Sequence, residues 1–390
     1  MFGIGAMICI MFIGFLYQHQ QFSFPVNTQY ASIKDVFETP TPTTNQPLTR
    51  KQKIEQLFMV GFDGTTPADA QNLLQQHAVG GVILLEKNIS DPAQVQKLTQ
   101  QLQTTSIQQT GLPIVIGVDQ EGGDISRVRF EGYEKTSQSE IKNADQAYTV
   151  AKKRGEELYN LGININFSPI LDVIPDTQSF LSARAFQKTI PEISSLGAAM
   201  VRGYTDARIR SCPKHFPGHG GALSDPHISE SINTESKELV WNDAQSFTGV
   251  IAEQVDCIMV GHTLYTNVDQ NPGSKSPVII TNWLRNSFHF EGVIITDDME
   301  MVAAHLTQRE ATQAQNLSHP EGADQQTLGE ASLAALQSGA DMVLISGYST
   351  TPQEREEVFA YIIKQIENGA LSEKQIDEKI SRITKIKRSE

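Results

Sequence analysis

Five side chains that can carry protons or charge are crowded into one short stretch of the sequence, 211-SCPKHFPGHGGALSDPHISESI-232. They are Lys214, His215, His219, Asp225 and His227. Imidazole and carboxylate groups at this density suit either a metal site or the transfer of protons to and from a substrate. The spacing within the stretch decides between these two chemistries.

A metal site would need His215 and His219 to present both imidazoles on one side of the chain. A His-x3-His pair does so on a helix, but Pro217 and Gly218 stand between the two histidines and oppose a helix. The sequence therefore predicts no metal site. A serine hydrolase is not indicated either, because the sequence lacks the Gly-x-Ser-x-Gly elbow of that class.

The stretch is better explained as two parts with different tasks. Lys214 and His215 end an apolar run and are predicted to be fixed hydrogen-bond donors. The glycine-rich residues 218–221 are predicted to form a mobile loop. Beyond them, Asp225 and His227 have the i, i+2 spacing that puts both side chains on one side of an extended chain, so Asp225 can orient His227 and raise its basicity. We therefore expect His227 to donate a proton near neutral pH.

Two other polar groups follow apolar runs. In 118-VDQEGGDISRVR-129, Asp119 ends a run and Arg127 can fold back across a glycine pair; together they suit neutral sugar hydroxyls, the alternative being a surface ion pair. In 296-TDD-298, the adjacent carboxylates point to opposite sides if the strand continues. Asp297 follows the strand directly and is predicted to face the site, while its neighbour anchors structure.

The elements that must position these groups alternate along the chain. Eight short apolar runs are bounded by Gly, Pro, Asp or Asn, which is typical of strands buried on both faces. The runs are 59–63, 80–85, 113–119, 164–173, 209–216, 257–262, 292–298 and 340–346. Apolar residues at three-to-four spacing predict helices between them. The clearest of these are 50–58, 93–103, 145–162 and 354–369.

This alternation predicts an α/β fold with a single (β/α)8 TIM-type barrel over residues 50–390. A doubly wound sheet is the alternative, but no Gly-x-Gly-x-x-Gly and no phosphate loop follows a strand. Polar residues gather where the runs end, and these ends converge on one face of a barrel. They are Asp119, Asp172, Lys214, His215, His262, Asp297 and Asp298. The active site is therefore predicted on that face.

Composition limits the class of protein further. The chain has 390 residues, of which 39% are hydrophobic, enough for a large buried core. Its net charge of −14 gives no electrostatic reason to bind nucleic acid. The three cysteines, at positions 9, 212 and 257, are far apart and predict neither a disulfide framework nor a cysteine-rich metal site.

The N-terminus has a different composition from the rest. Residues 1–17 are almost wholly apolar, which predicts a signal peptide or an uncleaved membrane anchor. Residues 18–49 are rich in Gln, Thr, Pro and Ser and are predicted to be a flexible linker. We therefore expect an exported or cell-envelope protein, either secreted or tethered to the membrane through residues 1–17.

The motifs resemble those of glycoside hydrolase family three, in its β-N-acetylglucosaminidase branch. One is the Lys-His-Phe-Pro-Gly-His-Gly of residues 214–220, followed by Asp-x-His. The others are Val-Asp-Gln-Glu-Gly-Gly at 118–123, Asn-Phe-Ser-Pro-x-Leu-Asp at 166–172 and Thr-Asp-Asp-x-x-Met at 296–301. They occur in the order of the family, and the resemblance extends from about residue 50 to residue 386.

The resemblance implies retaining, exo-acting hydrolysis of terminal β-linked N-acetylglucosamine from cell-wall or chitin-type oligosaccharides. Asp297 matches the nucleophile that forms a covalent glycosyl-enzyme. His227, paired with Asp225, matches the His–Asp dyad that replaces the usual carboxylic acid/base. The resemblance implies no metal or organic cofactor, and we expect a monomer whose partner is the oligosaccharide.

The resemblance also implies a set of residues that bind the sugar or lie near it. They are Asp119, Arg127, Arg184, Lys214, His215 and His262. Two departures weaken the match: Asp124 replaces an arginine after the glycine pair, and the family's Arg-Ser-Phe-Gly is here Arg-Ala-Phe-Gln at 184–187. A family-three β-glucosidase and a catalytically inactive sugar-binding barrel are the alternatives.

Overall fold

A computed structural model of the chain describes residues 47–174, 179, 181–220, 231–305 and 325–388. The predicted N-terminal segment 1–17 and nearly all of the linker 18–49 lie outside these residues. Asp225 and His227 lie outside them as well. None of the helices in these ranges combines the length and the apolar character needed to cross a bilayer.

The core is a parallel sheet of eight strands, and it confirms all eight predicted strands. The strands are β1 (Phe58–Val60), β2 (Gly81–Leu84), β3 (Val115–Val118), β4 (Ile165–Asn166), β5 (Arg210–Ser211), β6 (Cys257–Val260), β7 (Val293–Asp298) and β8 (Met342–Ile345). The spatial order β5-β4-β3-β2-β1-β8-β7-β6 follows the chain around a nearly closed ring. Apolar side chains fill these strands because both faces of the sheet are covered.

Helices alternate with the strands, and the four predicted helices are confirmed with altered ends. The described residues form the α-helices α1 (Arg50–Glu55), α2 (Pro67–Gln76), α3 (Pro92–Thr110), α4 (Ala144–Asn160), α5 (Ile190–Asp206), α6 (Lys237–Asp243), α7 (Thr248–Ala252), α8 (Gln325–Ser338), α9 (Pro352–Gln365) and α10 (Glu373–Arg388). The four predicted helices correspond to α1, α3, α4 and α9. Val278–Ser287 and Ile366–Ala370 form π-helical segments. Short 3-10 turns lie at Glu86–Asn88, Gln138–Glu140, Ala244–Phe247, Gly273–Lys275 and Val302–His305.

Helix ends follow local sequence signals, as α3 illustrates. The Asp91 side chain accepts a hydrogen bond from the backbone N–H of Gln94 at 2.9 Å, and Pro92 occupies the first turn. Gly111 ends the helix with φ at 70°, a left-handed conformation that costs glycine least. The chain is thereby redirected into β3.

The ring closes between β5 and β6 by hydrogen bonds beyond the end of β5. The Phe216 N–H donates to the Met259 carbonyl at 2.8 Å, and the Gly261 N–H donates to the Phe216 carbonyl at 3.1 Å. An isolated parallel bridge links Phe216 to Val260. The closing segment therefore includes Lys214 and His215, and the seam of the barrel lies beside the predicted site.

A disulfide between Cys212 and Cys257 spans the same seam, with the two Cα atoms 4.6 Å apart. The prediction that the cysteines form no disulfide framework was wrong for this pair. The two residues are 45 positions apart in sequence, and they become neighbours only because the ring closes between β5 and β6.

We expect reduction of this disulfide to lower the free energy of unfolding. Closing a loop of 45 residues stabilises a protein by about 4 kcal/mol when the effect on the unfolded chain dominates. Urea unfolding of the oxidised protein and of the Cys212→Ser variant measures the difference, with Cys9→Ser as the control. Thiol titration of the denatured, unreduced protein that finds both Cys212 and Cys257 reactive would contradict the pairing.

Candidate active site

Side chains from several strand ends meet on one face of the barrel. Asp119 follows β3, and Lys214 and His215 follow β5. Asp172 lies beyond β4, and Asp297 is near the end of β7. The Lys214 ammonium contacts Asp119, and His215 contacts both Asp172 and Asp297. The structure thus brings together predicted residues that are separated by almost 180 positions in sequence.

Four charged residues form what we call the charge cluster: Asp119, Glu121, Arg184 and Lys214. The Lys214 Nζ lies 2.6 Å from Asp119 Oδ1 and 2.7 Å from Glu121 Oε1. Arg184 binds both oxygens of Glu121, with Nε 2.9 Å from Oε2 and a terminal nitrogen 2.8 Å from Oε1. The two cations and two anions balance, which lets the cluster lie in a largely buried position.

The charges within the cluster alter one another's ionisation. Burial alone would raise the pKa of Glu121, but the charges of Lys214 and Arg184 outweigh burial and lower that pKa to about 2. Burial would likewise lower the pKa of Lys214, yet Asp119 and Glu121 raise it above its ordinary value. The lysine therefore remains an ammonium group and a hydrogen-bond donor throughout the physiological pH range.

A second cluster is centred on the fully buried carboxylate of Asp172. Its Oδ2 accepts from the backbone N–H of His215 at 3.1 Å and lies 2.9 Å from the His215 Nδ1. Its Oδ1 accepts from the backbone N–H of His219 at 2.8 Å and lies 2.7 Å from the His219 Nδ1. Asp172 therefore fixes the orientation of both imidazole rings.

Burial would raise the pKa of Asp172, but His215 and His219 hold it well below its ordinary value. Burial lowers the pKa of His215 even beside this carboxylate. The cluster consequently consists of a carboxylate between two imidazoles, of which His215 is neutral at pH 7. With its Nδ1–H donated to Asp172, a neutral His215 presents an unprotonated Nε2 on the side of Asp297.

Asp172, His215 and His219 could also hold a metal ion, because their candidate ligand atoms lie within 4.8 Å of one another. The expectation that Pro217 and Gly218 would keep the histidines apart was wrong: the ring centroids are 4.9 Å apart. A metal bound through both Nδ1 atoms would have to displace the hydrogen bonds that they make with Asp172. The arrangement fits a hydrogen-bonded carboxylate better than a metal centre.

The adjacent carboxylates of Asp297 and Asp298 point to different surroundings. Asp297 is 8% exposed; its Oδ2 lies 3.7 Å from the His215 Nε2, and its Oδ1 accepts the N–H of Asp298 at 2.8 Å. Asp298 turns instead to Ser346, whose N–H donates to it at 3.1 Å. Burial and the charge of Glu300 raise the pKa of Asp298 to about 7. The two carboxylates therefore point in different directions and contact different groups.

His262 lies beneath this strand end. Its Nδ1 is 2.7 Å from the Ser274 hydroxyl, and its Nε2 is 2.9 Å from the carbonyl of Asp298. Burial lowers the pKa of His262 to about 4, so the ring is neutral. Because both ring nitrogens already have protein partners, this placement makes His262 a support for the end of β7 and not a direct ligand of a sugar.

Arg127 differs from the other predicted sugar-binding residues. It is half-buried, and within the part of the chain that the structure describes its Nε has no hydrogen-bond partner. That Nε is itself buried from solvent. The structure does not join it to the charge cluster by an ion pair.

Two acidic residues of these clusters were missing from the predicted site, as was His219. Glu121 lies in the quoted motif 118–129, and Asp172 was noted only as a polar strand end. Both are acidic residues in largely apolar surroundings, and a buried acid that is not paired is costly. That cost was the available signal that each has a cationic or N–H-donating partner.

A nearly closed parallel barrel with carboxylate, lysine, arginine and imidazole groups at the strand carboxyl ends defines a barrel enzyme with its active site on that face. Comparison with known proteins gives the family. Residues 49–386 match the model described as the glycosyl hydrolase family 3 N terminal domain, and the chain belongs to this family.

Relatives and solved structures agree with this assignment. The chain is 30% identical over 313 residues to a beta-hexosaminidase of Methylococcus capsulatus. The aligned residues cover 78% of this chain and 84% of that protein. It is 31% identical over 302 residues to a beta-hexosaminidase of Idiomarina loihiensis, covering 74% and 83% of the two chains. A family 3 beta-N-acetylglucosaminidase structure from Paenibacillus sp. has a TM-score of 0.77 and 31% identity, covering 87% of this chain and 62% of that one.

Proposed function

We propose that the protein is a retaining, exo-acting β-N-acetylglucosaminidase that removes terminal β-linked N-acetylglucosamine from cell-wall or chitin-type oligosaccharides. The observation that carries the proposal is its similarity, over three quarters of the chain, to beta-hexosaminidases of its own family. The carboxylates and hydrogen-bond donors on the strand-end face support it, because sugar hydroxyls and an acetamido group require such partners.

In the proposed reaction, Asp297 attacks the anomeric carbon of the terminal sugar and forms a covalent glycosyl-enzyme. His227, oriented by Asp225, protonates the leaving oxygen and later removes a proton from the attacking water. An imidazole as the acid/base, cationic until it donates its proton and neutral afterwards, avoids the repulsion that a second carboxylate would exert on Asp297. The neutral state of His215 has a related benefit, because it offers no permanent counter-charge that would weaken the nucleophile.

The charge cluster and Arg127 are proposed to hold the terminal sugar. Asp119 is the most exposed of the four cluster side chains, so its carboxylate is the one best placed to accept hydrogen bonds from hydroxyl groups. Lys214 and Arg184 add fixed donors. The guanidinium of Arg127 is proposed to complete this set.

We also propose that residues 50–390 form a single (β/α)8 TIM-type barrel that acts as a monomer. The protein would be exported, and either secreted or held at the cell envelope through residues 1–17. The Cys212–Cys257 disulfide supports export, because disulfides persist mainly in oxidising compartments. A role in peptidoglycan turnover would follow from activity on cell-wall fragments.

Hydrolysis of chromogenic N-acetyl-β-glucosaminide and β-glucoside tests the proposed activity. We expect kcat/KM to favour the N-acetylated substrate by about 100-fold or more, since the glucoside leaves the acetamido-binding groups unpaired. The opposite preference would identify a β-glucosidase. Binding of N-acetylglucosamine without turnover of either substrate would identify a sugar-binding barrel. Kinetics on N-acetylglucosaminyl-anhydromuramic acid and on chitobiose then separate cell-wall from chitin-type substrates.

The acid role of His227 predicts a dependence on the leaving group. We expect His227→Ala to slow hydrolysis of chitobiose by about 10²- to 10⁴-fold, because its alcohol leaving group needs a proton. A nitrophenyl glycoside, whose leaving group departs as a stable anion, should lose far less. Steady-state kinetics on both substrates measure the difference, and equal losses would argue against acid catalysis by His227.

A further inference from the structure

Tyr348 is an unusually exposed aromatic residue at the face of the barrel that carries the candidate active site. Its exposed fraction is 85%, against 53% for Leu239, the other large hydrophobic side chain that is exposed in the described part of the chain. Tyr348 belongs to the loop 346–351, which follows β8. A single exposed aromatic is not informative alone, so the significance of Tyr348 depends on how this loop is held.

The loop is fixed by one carboxylate from the segment that follows β7. Glu300 Oε2 accepts the backbone N–H groups of Tyr348 and Ser349, both at 2.8 Å, and Oε1 accepts the N–H of Gly347 at 3.1 Å. The hydroxyls of Ser349 and Thr350 also donate to Glu300. The backbone that carries Tyr348 is therefore tied to a residue three positions after Asp297.

Neighbouring loops hold the same backbone from other sides. The Lys87 Nζ donates to the Gly347 carbonyl at 2.8 Å and pairs with Asp63 at 2.7 Å. The Arg355 guanidinium donates to the Thr350 carbonyl at 2.6 Å. Lys87 from the segment after β2 and Arg355 from α9 thus immobilise a loop whose aromatic ring stays in solvent. A fixed backbone beneath an open ring is the arrangement of a preorganised contact surface.

The position of the ring relative to Asp297 follows from the strand register. Asp298 pairs with Leu344 across β7 and β8, and Tyr348 is four residues further along. Four residues span at most about 14 Å. Ser346, two residues before Tyr348, also donates its N–H to Asp298 at 3.1 Å, so the loop that carries Tyr348 lies beside the strand end that carries Asp297.

We propose that Tyr348 is a stacking platform for the sugar on the leaving-group side of the scissile bond. A pyranose ring has an apolar face of C–H groups, and a tyrosine ring offers apolar area at a small entropic cost together with a hydroxyl that can bind a sugar oxygen. The inference rests on the proposed function, and it identifies the substrates as oligosaccharides with at least one further sugar.

The test compares two substrates with the same terminal sugar. Chitobiose carries a sugar on the leaving-group side, whereas N-acetyl-β-glucosaminyl fluoride does not. In Tyr348→Ala, we expect the ratio of kcat/KM for chitobiose to kcat/KM for the fluoride to fall about tenfold. Tyr348→Phe, which keeps the ring, should stay within about twofold of the wild-type ratio. Leu239→Ala removes the other exposed hydrophobic side chain and should leave the ratio unchanged.

The outcomes separate this inference from the proposed function. Wild-type protein that hydrolyses neither substrate would overturn the proposed function itself. Wild-type protein that hydrolyses both, with the ratio unchanged in Tyr348→Ala, would overturn only the stacking platform. A Tyr348→Phe ratio as low as that of Tyr348→Ala would also overturn stacking, because the loss would then come from the hydroxyl.

Discussion

Replacing Asp297 with alanine is expected to reduce kcat/KM for an aryl N-acetyl-β-glucosaminide by about 10⁴-fold or more, because the variant lacks the proposed nucleophile. We expect the variant to remain folded, because a smaller side chain at this strand end leaves the backbone pairing of β7 with β6 and β8 in place. Steady-state kinetics and urea unfolding measure the two effects.

The adjacent carboxylate is the matched control for this prediction. Asp298 turns away to Ser346, and its pKa of about 7 means that it is partly protonated at neutral pH. Asparagine imitates the protonated form, so Asp298→Asn should keep most of the activity. Azide should restore turnover in Asp297→Ala by attacking the anomeric carbon in place of the carboxylate, giving a glycosyl azide. If the Asp298 variant were inactive and the Asp297 variant active, the two assignments would have to be exchanged.

The strands and the strand-end residues could be predicted from sequence because they follow from local patterns. An apolar run bounded by Gly, Pro or Asp predicts a buried strand whatever its neighbours are, and parallel strands bring their carboxyl ends to one face. Asp119, Lys214 and Asp297 therefore converge without any knowledge of the strand order. Successive side chains along a strand point to opposite faces, so the sequence also predicts that Asp298 points away from Asp297, as its contact with Ser346 shows.

Features that depend on ring closure could not be predicted in this way. The Cys212–Cys257 disulfide exists because β5 and β6 meet at the seam of the barrel, which no pattern within 45 residues reveals. The sequence pattern does not place His219 beside His215, because Pro217 and Gly218 oppose the helix that would bring the two rings to one side. The shared partner Asp172, more than 40 residues earlier in the sequence, unites them instead.

The second large effect concerns Glu121. We expect Glu121→Gln to lower the free energy of unfolding by about 3 kcal/mol at pH 7, because Lys214 and Arg184 would then be two largely buried cations without the carboxylate that they share. Asp119→Asn is the control, since it affects the same lysine but is closer to solvent, and its loss should be smaller. Urea unfolding at constant pH measures both.

The pH dependence of stability distinguishes this electrostatic explanation from a simple packing defect. The pKa of Glu121 in the folded protein is about 2, below its ordinary value of 4.5, so its contribution is fully present above pH 4.5 and is lost as the pH falls towards 2. The loss over that window amounts to roughly 3 kcal/mol. Glutamine cannot titrate. Between about pH 5 and pH 2, the free energy of unfolding of Glu121→Gln should therefore fall by roughly 3 kcal/mol less than that of the wild-type protein. Parallel curves for the two proteins would mean that the charge of Glu121 contributes nothing, and that the variant is destabilised by altered packing.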